Sequence, residues 1–379
     1  MTRAKLEKEI LAWIDESTWA PDAARFDRLA LALFTFQYSA CEPYARLCRS
    51  LGRTPESVSR CEEIPPVPTG AFKEFDLRCF EEPHTLITFR TSGTSLDRRG
   101  QLHLDTLELY EASLLASLRK TFLIGLTDRK PTMRFLAPGP SEVSDSSLTH
   151  MFEVLRREDG NEKSRFDLIE GRLDLASFGA AIAQGQEDGD PLVIAGTSFA
   201  FVHLLDALET KQSQVDFLRG GLPPGSRVLE TGGFKGRSRE VPREQLRGDI
   251  ARCFGIAETH VVNQYGMTEL GSQFYDSTLI DPDGPRRKLI PPWTKIRLVD
   301  PESGKDVEEG SPGIIVVHDL ANTGSIAAIQ TADLGRAILG PGGERIGFDV
   351  LGRESGAEAK GCSIATDVML EASRLETAQ

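Results

Sequence analysis

The chain has 379 residues, 40% hydrophobic and 27% charged, with a formal net charge of −13. That length suits two or three packed layers or two fused cores, and an acidic chain without a Lys/Arg-rich block excludes a broad nucleic-acid footprint. The N-terminal stretch has no signal-peptide core, no apolar run is long enough for a membrane span, and the cysteines at 41, 48, 61, 79, 253 and 362 form no C-x-x-C pair, so a cytoplasmic enzyme with reduced thiols is expected, not a secreted, membrane, zinc or disulfide protein.

Leu6, Ile10, Leu11 and Ile14 recur at helical spacing, and the chain reads as helical to about residue 60. Ile64-Pro65-Pro66-Val67-Pro68-Thr69-Gly70 ends that pattern, because adjacent prolines remove donors and force an extended path. Thr85–Phe89 is then a strand candidate, running into Arg90-Thr91-Ser92-Gly93-Thr94-Ser95. Asp105 and Glu108 have capping-box spacing ahead of a helical face of Leu107, Tyr110, Leu114 and Leu118. Strand, small-residue loop and helix in that order suit an open α/β sheet.

The same grammar returns three times. Leu192–Ala195 leads to Gly196-Thr197-Ser198, Arg227–Glu230 to Thr231-Gly232-Gly233, and His260–Asn263 to Gln264-Tyr265-Gly266-Met267-Thr268-Glu269. Open α/β sheets bind ligands beyond the carboxyl ends of their strands, so these turns are expected to converge on one site. Beyond Pro291-Pro292, the run Ile314–Val317 predicts shorter β structure, read as a small barrel.

Four patches carry chemistry. Thr91 to Ser95 offers small hydroxyl residues and a glycine, so backbone N–H groups approach phosphate closely, and Arg98 and Arg99 follow with positive charge. No Walker loop is present. Tyr265-Gly266-Met267-Thr268-Glu269 supplies a flat ring for a base, a hydroxyl for phosphate and a carboxylate for magnesium. Thr331-Ala332-Asp333 supplies a carboxylate for ribose hydroxyls, and Gly352-Arg353 follows.

Taken in order, Thr-Ser-Gly-Thr, Gly-Gly, Tyr-Gly-x-Thr-Glu, Asp and Gly-Arg resemble the adenylate-forming superfamily over the chain from about Phe89 onward. The resemblance implies an α/β fold: an acyl-CoA-synthetase-like large domain with open α/β sheets and a small β-barrel region. It implies ATP and Mg2+ as cofactors. Thr91, Ser92, Gly93, Thr94 and Ser95 would form the phosphate loop, with Arg99 where the family has lysine. Gly232, Gly233 and Phe234 would border adenine, with Tyr265 and Gly266 close by. Thr268 and Glu269 would take phosphate and the metal, and Asp333 and Arg353 the ribose. Leu96 and Arg98 stand where the family has a second glycine and a proline, and Thr-Ala-Asp replaces Thr-Gly-Asp.

Members of that superfamily continue past the Gly-Arg hinge into a lid domain with a catalytic lysine, whereas this sequence has a short segment there. The expected division is therefore a helical segment over 1–63, an adenylate-forming core over 64–352, and a short C-terminal segment over 353–379 in place of the lid. Cys362 soon after the hinge, with Asp145-Ser146-Ser147-Leu148 and Thr231-Gly232-Gly233-Phe234-Lys235-Gly236, is similar to the acyl-protein synthetases of bacterial luminescence. That resemblance implies a fatty acid substrate, an acyl-AMP intermediate, an acyl thioester on Cys362 aided by cations such as Lys360, and a partner acyl-thioester reductase. Three alternatives stay open: a coenzyme A ligase of the phenylacetate type, an enzyme that adenylates an aromatic or amino acid, and an inactive adenylate-fold binding protein.

Overall fold

A computed structural model describes residues 1–16, 18–92, 99–210, 220–232 and 241–353. The chain divides into two compact units: Met1–Ala116 with Gly266–Phe274 and Arg287–Gln379, and Ser117–Tyr265 with Tyr275–Arg286.

The first unit begins with helices Arg3–Ile14, Ala23–Ala40 and Glu42–Ser50. Leu6, Ile10, Trp13 and Ile14 are buried on one face of the first helix at three- and four-residue spacing. Asp22 caps the second, accepting from Arg25 N at 2.9 Å. Its buried Gln37 donates to Asn322 O at 2.9 Å and accepts from Ala327 N at 3.1 Å. That amide satisfies backbone groups of a turn that could not otherwise be buried cheaply.

Among the described residues, the main sheet of this unit has five strands. Thr294–Val299 pairs with Pro312–Asp319, and Pro312–Asp319 with Ala328–Leu339, both antiparallel. On its other edge, Ala328–Leu339 pairs first with Val67–Pro68, through Val67↔Ile329, and then with Arg345–Arg353, through Asp333↔Arg353. Pro312–Asp319 is buried at every position but its first, which explains an apolar run without alternation. The expected small barrel is corrected to an open sheet among the described residues, because Thr294–Val299 remains an edge of the strand order.

Two further expectations are corrected nearby. The strand placed at Thr85–Phe89 is Ile87–Arg90, since Thr85 closes the turn before it by donating N and Oγ1 to Glu82 O, at 3.0 and 2.7 Å. Its partner is Gln101–Leu104 in an antiparallel hairpin, so residues 91–100 link two hairpin strands and not a strand and a helix. Asp105 does not cap: its carboxylate receives both Nη atoms of Arg3, at 2.6 and 2.7 Å, and Thr106 Oγ1 accepts from Glu108 N at 3.2 Å, at the start of helix Glu108–Thr121.

Among the described residues, the second unit carries six sheet strands in the order Val261–Tyr265, Arg227–Thr231, Leu192–Thr197, Thr132–Pro138, Arg165–Ile169, Arg172–Leu173. The pairs from Val261–Tyr265 through Arg165–Ile169 are parallel, with helices Ser147–Asp159, Leu175–Asp188, Ser198–Thr210 and Arg243–Phe254 among the connections. Arg165–Ile169 turns into Arg172–Leu173 through Glu170 and Gly171, both at positive φ, 49° and 74°. Phe178, Ile194, Val202, Val228, Ile250 and Phe254 fill the core between sheet and helices. Gly196 faces Leu136 across adjacent strands, and a Cβ on it would stand 2.9 Å from Leu136 Cβ.

Candidate active site

In the first unit, Thr91 and Gly100 close the base of the small-residue loop. Thr91 N donates to Gly100 O, and Gly100 N donates to Thr91 Oγ1, each at 2.9 Å. Arg99 braces the same base, with Nε donating to Thr91 O at 2.6 Å and Nη2 to Arg90 O at 3.2 Å. The cation expected beside the phosphates is thus tied to the loop's own carbonyls. Ser92 is exposed, and Gly93, Thr94 and Ser95 lie outside the described residues.

Leu270 N donates to Met267 O at 3.2 Å, which puts Thr268 and Glu269 at the centre of a turn. Glu269 is only 6% exposed. A Cβ built on Gly100 would stand 3.1 Å from Thr91 Cγ2 and 3.6 Å from Glu269 Oε1. Thr91 and Glu269, distant in sequence, therefore both approach Gly100, where a Cβ would press on Thr91 and stand in ordinary contact with the Glu269 carboxylate. A carboxylate and a hydroxyl beside one glycine offer hard oxygen donors, the kind that fits Mg2+.

Asp333 and Arg353 are directly opposed across two strands, with Arg353 Nε 3.5 Å from Asp333 Oδ1. Thr331 shapes the strand beside them, where its register with Pro312–Asp319 shifts: its hydroxyl donates to Ile315 O at 2.9 Å and accepts from Asp333 N at 3.1 Å. The structure thus brings together the two residues expected at ribose.

In the second unit, Thr197, Thr231 and Gln264 stand in one row of three parallel strands. Gly232 and Tyr265 follow at the same sheet end; Gly232 has φ +79°, a conformation that glycine enters without a Cβ clash. Gly233 and Phe234 are outside the described residues. Glu230, which sequence reasoning passed over, is gripped at this end by Ser198 Oγ and Asn263 Nδ2, and Ser198 Oγ also reaches Gly232 O at 2.8 Å. A carboxylate closing an apolar strand was the available signal.

Five cysteines are described. Cys41, Cys48, Cys61 and Cys79 are buried and Cys253 is half-buried. Burial pushes the thiols of Cys48 and Cys61 up to about 12 and that of Cys253 to about 11. A hydrogen bond with Cys41, and then burial, raise Cys79, and the same bond draws Cys41 down. Asp27, Cys61 and Glu62 bring donor atoms within 4.8 Å of one another. Lys295 stands among them, with Nζ 3.1 Å from Cys61 Sγ, 3.9 Å from Asp27 Oδ1 and in contact with Glu62, so an ammonium already supplies the positive charge. Cys362 lies outside the described residues. No described helix is long and apolar enough to cross a membrane.

A model of the family described as acyl-protein synthetase, LuxE, matches residues 11–372. Two curated relatives are named long-chain-fatty-acid–luciferin-component ligase. The one from Aliivibrio fischeri is 22% identical over 311 residues, 82% of this chain and 78% of its own. The one from Vibrio harveyi is 20% identical over 342 residues, 89% of this chain and 86% of its own. Among solved structures, 2-hydroxyisobutyryl-CoA ligase in an open conformation with 2-HIB-AMP and CoA matches with a TM-score of 0.62 at 15% identity, covering 88% of this chain and 76% of that one. Its postadenylation state gives the same TM-score and identity, covering 88% and 68%. At that identity the likeness is one of fold, and the fold is the adenylate-forming one expected.

Proposed function

Because the chain belongs to the acyl-protein synthetase family, LuxE, we propose that it activates a long-chain fatty acid with ATP and then carries the acyl group as a thioester on Cys362. The observation that carries this reading is the approach of Thr91 and Glu269 to Gly100.

In the first step a fatty carboxylate oxygen attacks the α-phosphorus of ATP. A P–O bond forms to the carboxylate, the bond to pyrophosphate breaks, and acyl-AMP results. The carboxylate is already nucleophilic, so no general base is required. The enzyme's task is orientation and neutralisation of phosphate charge. Backbone N–H groups and hydroxyls of Thr91 to Ser95 would hold the phosphates, with Thr268 beside them. Arg99, braced against Thr91 O and Arg90 O, sets a positive charge at the loop base. Glu269, with Thr91 nearby, would hold Mg2+; when bound, that ion screens the negative charge of the phosphates. Gly232, Gly233, Phe234, Tyr265 and Gly266 would border adenine, and Asp333 with Arg353 would take the ribose hydroxyls.

In the second step the Cys362 thiolate attacks the acyl carbonyl, an S–C bond forms, and AMP leaves. The described thiols support Cys362 by their unsuitability. Buried thiols held protonated are poor nucleophiles, and Cys41, though drawn down, is 2% exposed beside Cys79. Cys362 lies nine positions after Arg353, a tether reaching at most ~30 Å. The thioester then suits delivery to a partner acyl reductase.

The test is ATP–pyrophosphate exchange. Exchange that requires both Mg2+ and a long-chain fatty acid is expected; no exchange with any carboxylate in a panel overturns the reading.

A further inference from the structure

We infer that Asp319 is a positioning residue for the Glu269 turn, acting through Ser272 and the neighbouring Asn322; the link to catalysis rests on the role of Glu269 proposed above.

Asp319 ends the strand Pro312–Asp319 and is fully buried. Its carboxylate accepts from Ser272 N at 2.8 Å, Ser272 Oγ at 2.7 Å and its own turn's Ala321 N at 3.1 Å. The first two bonds grip the chain just past Glu269. Ser272 Oγ is held from its far side too: Ser113 Oγ lies 2.9 Å away, and Trp293 Nε1 donates to Ser113 Oγ at 2.8 Å and to Ser272 Oγ at 3.2 Å. The same Asp319 turn grips Glu269 itself, since Asn322 Nδ2 donates to Glu269 O at 3.0 Å and to Ile326 O at 3.0 Å. Between the two grips, Gly271 lies flat on Ala321: a Cβ there would stand 3.1 Å from Ala321 C and 3.2 Å from Ala321 O.

Every residue of this clamp belongs to the first unit. The clamp holds the turn by polar contacts on one side while the Glu269 carboxylate faces Thr91 and Gly100. An apolar residue would fill the Asp319 site without desolvating a charge. A carboxylate there instead fixes two bonds of Ser272 at once, and buried, satisfied polar groups of that kind set one geometry. Groups one step behind a metal ligand act in the same manner, by holding the ligand's orientation.

The variant Asp319→Asn keeps shape but sets an amide N–H2 against donors it cannot accept from. Amide hydrogen exchange and pyrophosphate exchange are measured on the full chain. The expected result has two parts: amides of 266–274 exchange faster while those of Leu192–Thr197 do not, and the Mg2+ concentration for half-maximal activity rises about ten- to a hundred-fold at unchanged fatty-acid KM. Ser272→Ala, which keeps the backbone bond, gives the same pattern more weakly and carries both readouts if Asp319→Asn does not fold. Unchanged exchange over 266–274 overturns the clamp, and faster exchange with an unchanged Mg2+ requirement overturns its link to Glu269. If the wild-type chain itself catalyses no pyrophosphate exchange, the adenylation reading fails separately, and hydrogen exchange still decides whether Asp319 holds the turn.

Discussion

Arg353 reaches across a strand pair to Asp333, with Nε 3.5 Å from Oδ1 and the arginine side chain 66% exposed. A contact so open to water contributes little to stability, about 0–1 kcal/mol. Asp333→Asn is therefore expected to leave the unfolding midpoint nearly unchanged while raising the KM for ATP about tenfold, the loss of one hydrogen-bonded charge at a ligand. Thermal unfolding and ATP titration of pyrophosphate exchange check the two halves. A large stability loss with unchanged KM assigns the pair to the sheet alone.

Glu269→Gln keeps size and removes charge in a buried turn. Pyrophosphate exchange is expected to fall by about two to three orders of magnitude, as for loss of one electrostatic element of a site. Circular dichroism should match wild type, because the carbonyl held by Asn322 is retained. Near-normal exchange in that folded variant shows that the metal-binding carboxylate lies elsewhere.

His318 is buried, and burial first, then Arg297 and Lys295, pushes its imidazole down to about 3; Glu62 opposes that shift. The unfolded chain gains this proton near the ordinary value of 6.5, the folded chain only near 3. Between those values the unfolded state binds more protons, so this group's contribution to stability is present above that window and is lost as pH falls through it. Asp319, raised to about 6 by burial, works in the opposite direction over the upper part of the window. Urea unfolding of wild type and His318→Gln across the window isolates the histidine: the variant is expected to lose less stability on acidification. Parallel curves would mean that His318 takes up its proton equally in the folded and unfolded chains, so that burial does not hold it neutral.

The strand-and-turn grammar was legible because it is local. The apolar runs at Leu192, Arg227 and Val261 end in Gly- or hydroxyl-bearing turns, and the parallel register brings those ends level. Thr91, Glu269, Asp333 and Arg353 were legible as motif residues, although Gly100, which the first two both approach, has no local signature. Pairing was not legible. Whether Ile314–Val317 closes a barrel depends on its partners, and the strand after the small-residue loop shows only an alternation at Leu102 and Leu104. Asp105 reads as a cap until Arg3, far away in sequence, is seen to take both its oxygens. Asp319 closes an apolar strand and Asn322 follows it, both like ordinary turn residues, and their grip on Glu269 and Ser272 exists only in three dimensions.

The proposal that the chain is an acyl-protein synthetase is tested most directly by incubating it with labelled long-chain fatty acid and ATP, with and without coenzyme A. The same incubation is run on Cys362→Ser. The account predicts a hydroxylamine-sensitive label on the wild-type protein without coenzyme A. In Cys362→Ser that label is lost while pyrophosphate exchange persists. Normal labelling of the variant would place the acceptor on another residue, and acyl-coenzyme A release with no labelled protein would contradict the account.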